Sequence, residues 1–454
     1  MARIVPGVRR MYILLVIHLL WTLCALVVVT RQQRAPAAAA TWIALIFLVP
    51  VGGTLLYILA GYRRATPAAG TPGHCGGRLE TLIASSCGTP PARHNEVTLL
   101  HNGNNAFSAL IASLQRATHT IHMEYYIIRD DRIGRTIAEI LIRKARAGLE
   151  VRVIYDAVGS WRLSRRMLRR MREAGVRTAA YEPIRFPWFR PAVTRRNHRK
   201  IVVTDGRVAY LGGINIAKYY LDGDYMGKWR DEHLRIEGDA VADLQRLFIA
   251  DWARASAERL DASLYIAPHD IRRRLPIQLA WSEEGRCRAA IADAFAATII
   301  RARRAVRICT PYFMPPGMLL DALRLAARSG VRVVVMIPTC SDSPFTDLVS
   351  DSYIGDLLDA GVELYRYENG FLHAKLLIVD DRVASVGTAN LDYRSLRYNL
   401  EVTAFLYDRE TVGELAATFD RDLTLCRRIP PGQWGQPLWR RTLGDVLRLV
   451  SPVM

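Results

Sequence analysis

The sequence predicts an α/β protein built from two similar halves, with a pair of membrane-spanning helices in front of them. Three observations support this prediction: two long apolar runs near the N-terminus, a pattern of strands and helices that occurs twice, and one short motif at the matching point of each copy. The 454 residues suffice for two or three domains. A composition of 50% apolar and 23% charged residues is typical of a chain that buries a core.

The two apolar runs cover residues 12–30 and 42–60, and neither contains Lys, Arg, Asp or Glu. A helix rises about 1.5 Å per residue, so each run would cross the roughly 30 Å hydrocarbon core of a bilayer. We therefore predict a transmembrane hairpin within residues 1–64. A cleaved signal peptide is the alternative, because an Arg-rich start and the small-residue segment 35–40 also fit that pattern.

Basic residues flank the outer ends of the hairpin slightly more densely than the connection between its helices. The outer ones are Arg3, Arg9, Arg10, Arg63 and Arg64, and the connection holds Arg31 and Arg34. Because Lys and Arg are enriched in cytoplasmic loops, we predict that both ends of the hairpin are cytoplasmic. The chain would then be a multi-pass membrane protein whose larger part lies on the cytoplasmic side.

The formal net charge of +19 and the isoelectric point near 9.9 indicate a negatively charged partner. A nucleic acid, an anionic bilayer or a phosphate-bearing substrate would each fit. No recognised nucleic-acid-binding module accompanies the basic residues, so we predict a lipid bilayer as partner and no nucleic acid. The seven cysteines are scattered and form no Cys-x-x-Cys pair, so neither a disulfide framework nor a metal site is predicted.

A linker rich in Pro and Gly, residues 65–97, precedes two passes over the same pattern, assigned to residues 98–262 and 263–454. In each pass a strand leads into an amphipathic helix, followed by a glycine and a second strand. Alternating strands and helices predict mixed sheets that are flanked by helices. The duplication implies an approximate two-fold axis, with the two motifs meeting across it.

The motif reads HRKIVVTD at residues 198–205 and HAKLLIVD at residues 373–380. In a strand, alternation would place its His and Lys on the same face. A lysine supplies positive charge to phosphate oxygens, and a histidine can attack phosphorus or transfer a proton near neutral pH. Two such pairs would surround one phosphate and offset its charge without a metal ion or other cofactor. The candidate catalytic residues are His198, Lys200, Asp205, His373, Lys375 and Asp380.

Each motif is followed by a β-branched run and a turn that closes with asparagine, Gly-Gly-Ile-Asn at 212–215 and Gly-Thr-Ala-Asn at 387–390. Asn215 and Asn390 are candidate substrate-binding residues, because their amides could donate hydrogen bonds to the same phosphate oxygens. Within the motifs, we expect Asp205 to be structural, at the end of a strand, and the same for the aspartate of the second copy.

With these tracts the chain resembles the phospholipase D superfamily, whose signature is His-x-Lys-x4-Asp, and is more closely similar to bacterial cardiolipin synthases. WRDEHLRIEG at 229–238 and TPYFMPPG at 310–317 belong to the same resemblance. It implies two phospholipase D-type repeats in a bacterial inner-membrane protein that needs no cofactor. It also implies that Asp231 and Glu401 orient the histidines.

The resemblance implies transfer of a phosphatidyl group between two phosphatidylglycerol molecules, through a phosphatidyl-histidine, to give cardiolipin and glycerol. We assign His198 as the nucleophile and His373 as the acid and base, and the pseudo-symmetry leaves the reverse assignment open. Hydrolysis of a phospholipid, or of nucleic acid, would use the same intermediate with water as acceptor. A membrane scaffold without activity is a third interpretation. The acceptor lipid, phosphatidylglycerol or phosphatidylethanolamine, and the oligomeric state stay open.

The C-terminal tail places Leu443, Val446, Leu447 and Val450 on one face of a helix. This face could lie on the membrane or pack on the catalytic core, and we expect the core.

Overall fold

The computed structural model describes residues 6–30, 36–58, 77–183, 195–283, 287 and 289–450. Its N-terminal helices are α1 (Pro6–Thr30), α2 (Pro36–Leu48) and α3 (Pro50–Leu56). The elements of the first half are α4 (Arg78–Cys87), β1 (Ala92–His101), α5 (Asn102–Arg116), β2 (Thr120–Tyr125), α6 (Arg132–Arg146), β3 (Glu150–Asp156), α7 (Arg165–Glu173), β4 (Arg177–Tyr181), β5 (Ile201–Thr204), β6 (Val208–Gly212), α8 (Tyr219–Asp222), β7 (Trp229–Arg230), β8 (Glu232–Gly238) and α9 (Asp239–Ser256).

The elements of the second half are β9 (Arg274–Ser282), α10 (Ala290–Ile300), β10 (Ala305–Cys309), β11 (Phe313–Met314), α11 (Gly317–Arg328), β12 (Arg332–Pro338), α12 (Pro344–Asp359), β13 (Glu363–Tyr367), β14 (Phe371–Leu372), β15 (Leu376–Val379), β16 (Val383–Gly387), β17 (Leu391–Asp392), α13 (Tyr393–Arg397), β18 (Glu401–Leu406), α14 (Arg409–Leu423), β19 (Cys426–Ile429) and α15 (Leu438–Val450).

Helix α1 contains one segment, Tyr12–Val29, that is long and apolar enough to cross a membrane. The second predicted span is divided at Pro50 into α2 and α3, because proline lacks the N–H that would continue the hydrogen-bonding ladder. Both short helices contact α1, and Trp21 Nε1 donates a hydrogen bond of 2.7 Å to Thr54 Oγ1. One apolar N-terminal helix, suited to membrane anchoring, is therefore established, and the complete transmembrane hairpin stays a prediction.

The strands form a 15-stranded mixed sheet in the order β19-β13-β12-β10-β15-β16-β18-β9-β1-β8-β6-β5-β2-β3-β4. The order of the first half, β1-β8-β6-β5-β2-β3-β4, repeats as β9-β18-β16-β15-β10-β12-β13 in the second. In each half the last three strands are parallel, the others are antiparallel, and β1 joins β9. The predicted duplication and mixed sheet are therefore confirmed.

A shared hydrophobic core lies between the two halves of the sheet. Strand β5 alternates as its pleat requires, with Ile201 and Val203 in this shared core and Val202 in the core beneath α5 and α6. From the second half, Ile378 and Val386 enter the shared core. The two halves of the sheet therefore pack face to face, and this packing holds the two motifs at one junction.

The segment predicted as a linker is partly structured. Residues 65–76 lie outside the described chain, whereas α4 and the first half of β1 occupy most of 77–97. Leu79 and Ile83 of α4 belong to the core of the second half, together with Ile291 of α10. The chain thus packs against the second half before it enters the first, which the composition of the linker did not reveal.

Helix α15 packs on α12 and contacts α2. Arg448 forms an ion pair of 3.1 Å with Asp356. Of the predicted apolar face, Leu447 packs on the core, whereas Leu443 and Val446 are 40% and 52% exposed. The expected packing of the tail on the core is therefore realised through its polar side and Leu447, and part of the apolar face stays uncovered.

A buried arginine of the first half, held by an ion pair, is hydrogen-bonded to the second half. Arg199, inside the first motif, pairs with Asp251 of α9, and both side chains are fully buried. Its guanidinium also donates to the carbonyl oxygens of Ser282, at 2.7 Å, and Glu401, at 3.2 Å, both in the second half. The backbone around the first motif is thus fixed by a buried charge that Asp251 neutralises directly.

We expect the Asp251→Ala substitution to lower the free energy of unfolding by about 3–5 kcal/mol, because it leaves the Arg199 charge buried without a counter-ion. Denaturant unfolding of the detergent-solubilised protein measures this. The matched control is Glu173→Ala, which removes an exposed ion pair with Arg169 and should cost at most about 0.5 kcal/mol. Equal effects of the two substitutions would contradict the structural role of Asp251.

Candidate active site

Two backbone hydrogen bonds bring the motif histidines together at the junction of the halves. The peptide N–H of His198 donates to the carbonyl oxygen of Leu400 at 2.9 Å, and that of His373 donates to the carbonyl oxygen of Arg230 at 2.7 Å. Leu400 and Arg230 each directly precede an acidic residue in the chain. Each histidine is therefore held beside a carboxylate that belongs to the other half.

The carboxylates engage the histidine side chains directly. Nδ1 of His198 lies 2.9 Å from Oε1 of Glu401, and Nδ1 of His373 lies 2.6 Å from Oδ2 of Asp231. Both carboxylates are fully buried. An Nδ1–H that donates to a carboxylate fixes the ring and its tautomer, which leaves Nε2 for attack on phosphorus or for proton transfer. The sequence singled out all four residues but did not reveal that the pairs cross between the halves.

The motif lysines lie deeper than the histidines. Lys200 Nζ donates to the carbonyl oxygen of His198 at 2.7 Å, and Lys375 Nζ donates to that of His373. Burial lowers the pKa of Lys200 to about 7 and that of Lys375 to about 8. In each motif His and Lys occupy the extended segment just before β5 or β15, whereas the prediction placed them inside the strand.

Burial and the nearby lysines also act on the histidines. Burial lowers the pKa of His198, and the charge of Glu401 partly opposes this effect. The pKa of His373 is lowered well below its usual value by burial and by the charges of Lys375 and Lys200. Both imidazoles therefore favour the neutral form at neutral pH.

The motif aspartates lie away from the histidines and bind backbone. Oδ1 of Asp205 accepts from the N–H groups of His119 and Thr120 at 2.8 and 2.9 Å. Oδ1 of Asp380 accepts from Arg304 and Ala305 at 2.7 and 3.0 Å. Each carboxylate thus ties the turn after its motif to the start of a neighbouring strand. This geometry supports the structural role expected for both aspartates.

A cleft of about 640 Å³ is lined by both histidines and by both asparagines. The amide of Asn215 is held inside the protein, since its oxygen accepts from Ile127 N at 3.1 Å and its nitrogen donates to Tyr220 at 3.2 Å. The Asn390 Oδ1 atom is buried and has no hydrogen-bond partner within the described part of the chain. Both predicted asparagines therefore line the cleft, and the Asn215 amide is already hydrogen-bonded within the protein.

Residues that the motif analysis missed complete the two sides of the site. Thr388 Oγ1 donates to Glu401 at 2.5 Å. The equivalent position in the first turn is Gly213, where a Cβ would lie 2.2 Å from Asp231 Oδ1. A signal was present in the sequence: the two turns differ at this position, Gly in one and Thr in the other, as well as at the next, and the carboxylates differ too, Asp in one half and Glu in the other.

Comparisons with known proteins agree with this architecture. A family model described as cardiolipin synthase, phospholipase D-like domain, matches residues 110–252 and 295–423. The chain is 37% identical to a cardiolipin synthase of Geobacillus kaustophilus over 94% of this chain and 91% of that protein. The chain belongs to the cardiolipin synthase family. It is also 35% identical to the major cardiolipin synthase of Bacillus subtilis, over 95% of this chain and 97% of that protein.

Two further matches concern the anchor and the fold. A family described as phospholipase D-nuclease N-terminal matches residues 19–61, which include the apolar helices. The crystal structure of phosphatidylserine synthase from Haemophilus influenzae superposes with a TM-score of 0.64, at 15% identity, over 83% of this chain and 99% of that one. At this identity the likeness establishes the two-repeat α/β fold and nothing more specific.

The lowered lysine pKa values predict that phosphate binding weakens as the pH rises. A soluble phosphodiester such as glycerophosphoglycerol keeps one negative charge throughout, while Lys200 and then Lys375 lose theirs above their pKa values of about 7 and about 8. We expect its affinity to fall by about tenfold or more between roughly pH 6 and pH 9.

Calorimetry measures this affinity. Repeating it in two buffers of different ionisation enthalpy also measures the proton uptake that should accompany binding near pH 8, close to the pKa of Lys375. In the Lys200→Arg variant the guanidinium stays charged, so the dependence on pH should become shallower. An affinity that does not change with pH would contradict the prediction.

Proposed function

We propose that the protein is a membrane-anchored cardiolipin synthase, which transfers a phosphatidyl group from one phosphatidylglycerol to a free hydroxyl of a second and releases glycerol. The observation that carries this proposal is the single cleft lined by His198 and His373, each held by a carboxylate of the opposite half. Relatives of this name match nearly the full length of the chain.

In the first step, Nε2 of His198 attacks phosphorus and the bond from phosphorus to the glycerol oxygen breaks. The departing oxygen takes a proton from Nε2 of His373, and a phosphatidyl-histidine remains. In the second step, the neutral His373 takes a proton from the hydroxyl of another phosphatidylglycerol, whose oxygen attacks phosphorus and displaces His198. Lys200 and Lys375 balance charge on the non-bridging oxygens, and no cofactor is required.

The electrostatics of the site bear on which histidine attacks. The nucleophile must be neutral and the acid must be protonated. Burial and the lysine charges lower the pKa of both histidines, and the charge of Glu401 partly opposes this at His198. A bound phosphodiester adds a negative charge that raises both pKa values. The two assignments are therefore distinguished by substituting each histidine in turn.

The anchor in this proposal is a transmembrane hairpin in a bacterial inner membrane, with the catalytic part on the cytoplasmic side. The apolar face of α1 and its contacts with α2 and α3 support the hairpin. Helix α15 contacts α2 and exposes Trp439, which is 67% accessible, so this surface would lie at the bilayer. Phosphatidylglycerol would then reach the cleft from the cytoplasmic leaflet.

Purified protein supplied with labelled phosphatidylglycerol in vesicles should form cardiolipin and glycerol in equal amounts, because each transfer releases one head group. Thin-layer chromatography of the lipids and an enzymatic glycerol assay measure both products. Phosphatidic acid as the sole lipid product would establish water as the acceptor and overturn the transferase proposal.

Substituting His198 or His373 with Ala should each lower cardiolipin synthesis by about a thousandfold, because attack and proton transfer are both required. A phosphatidyl ester of p-nitrophenol separates the roles, since its leaving group needs no protonation. The His373→Ala variant should release one burst of p-nitrophenolate and retain a phosphatidyl group on His198, detectable by mass spectrometry. A burst from His198→Ala, with the adduct on His373, would reverse the assignment.

A further inference from the structure

We propose that Arg129 binds the phosphate of the acceptor lipid, and so forms a second phosphate subsite in the cleft of the histidines. This inference rests on the proposed transferase function. It concerns the second half of the reaction, when one phosphatidyl group is already bound to the enzyme.

The chemistry of the product requires such a subsite. Cardiolipin carries two phosphates that are joined through one glycerol, so the acceptor brings its own negative charge to within the length of a glycerol of the reacting phosphorus. The two motif lysines surround the first phosphate. A second anion inside a partly desolvated cleft is unfavourable unless a further cation meets it.

Arg129 has the position and the free charge that this role needs. It lines the cleft and is half-buried, and its guanidinium carbon lies 5.3 Å from the centroid of the Tyr219 ring. It forms no ion pair with any carboxylate in the described part of the chain. Its neighbour Arg132, by contrast, pairs with Asp222 at 2.7 Å.

A series of tilted ring contacts places Arg129 on the side of the cleft where His373 lies. The Tyr219 ring is 4.2 Å from that of Trp229, and Trp229 is 5.2 Å from His373. His373 is the histidine assigned to take the proton from the acceptor hydroxyl. A cation beyond that histidine, on the same side, is where the phosphate of an acceptor would extend.

The second half of the protein has no positive charge at the position that corresponds to Arg129. The parallel bridges Ile128 to Ile216 and Phe313 to Leu391 are equivalent in the two halves, so Met314 occupies the position that corresponds to Arg129. The residues that bind the reacting phosphate, Lys200 and Lys375, can be equivalent in the two halves. A subsite for the acceptor alone must differ between the halves, as this position does.

Arg394 and Asp342 are among the other charged groups that line the cleft. Arg394 lies near His198, on the opposite side of the cleft from Arg129. Its charge partly opposes the effect of burial, which raises the pKa of Tyr126, and the Tyr126 ring is 4.9 Å from that of His198. Asp342, which would repel a phosphate, accepts a hydrogen bond of 2.6 Å from Tyr312. Arg394 is therefore the alternative cation, on the side of the nucleophile.

The experiment measures the reaction of the donor lipid and the transfer to the acceptor separately. The p-nitrophenyl phosphatidyl ester serves as the donor, and the acceptor is either phosphatidylglycerol in vesicles or free glycerol, which has no phosphate. For the full-length Arg129→Ala variant we expect an unchanged burst of p-nitrophenolate and unchanged transfer to glycerol. Transfer to phosphatidylglycerol should fall by about tenfold or more, chiefly through a higher KM for this acceptor.

Three variants complete the design. Arg129→Lys keeps a positive charge and should restore part of the transfer to phosphatidylglycerol. Arg132→Ala removes a neighbouring arginine outside the cleft and should leave both acceptors unaffected. If transfer to glycerol falls as much as transfer to phosphatidylglycerol, or if Arg394→Ala alone shows the selective loss, the proposal for Arg129 is overturned. Failure of the unsubstituted protein to transfer to either lipid or glycerol would overturn the transferase function instead.

Discussion

The site depends on a reciprocal exchange of backbone hydrogen bonds between the halves. The N–H of each motif histidine reaches the carbonyl oxygen that precedes the other half's carboxylate, at Leu400 and at Arg230. A hydrogen bond of this kind fixes the register of two strands to one residue. A slip by one residue would turn the carboxylate away from the imidazole. The face-to-face packing of the sheets and the buried charge of Arg199 keep that register.

The same arrangement concentrates charge in a small buried volume. Two lysines, two carboxylates and two imidazoles share the site, and burial raises the pKa of Asp231 while it lowers those of Lys200 and Lys375. Burial removes part of the solvation that would keep the lysines charged. A phosphate anion would supply a charged partner to both, which is how a preorganised site stabilises such a group.

Much of this could be predicted from the sequence, because the motif and its repeat are local patterns. The spacing identified His198 and Lys200, and the duplication predicted the pseudo-symmetry. The crossing of the pairs was not predictable, since His198 and Glu401 are 203 residues apart and only the fold decides which carboxylate meets which histidine. The break of the second apolar run at Pro50 is also a local effect, because proline lacks the N–H that would continue the helix. Arg129 belongs to no sequence motif. That it has no carboxylate partner among the described residues is visible only in the structure.

The turn residues Gly213 and Thr388 give the carboxylates of the two halves different surroundings. Glycine leaves room for the carboxylate of Asp231 to come close, whereas threonine gives Glu401 an additional hydroxyl donor. An extra donor makes a carboxylate a weaker base, so the two imidazoles face partners of different proton affinity although the strand order of the two halves repeats. Two halves that share one strand order therefore differ in the hydrogen bonding of the carboxylate that holds each histidine.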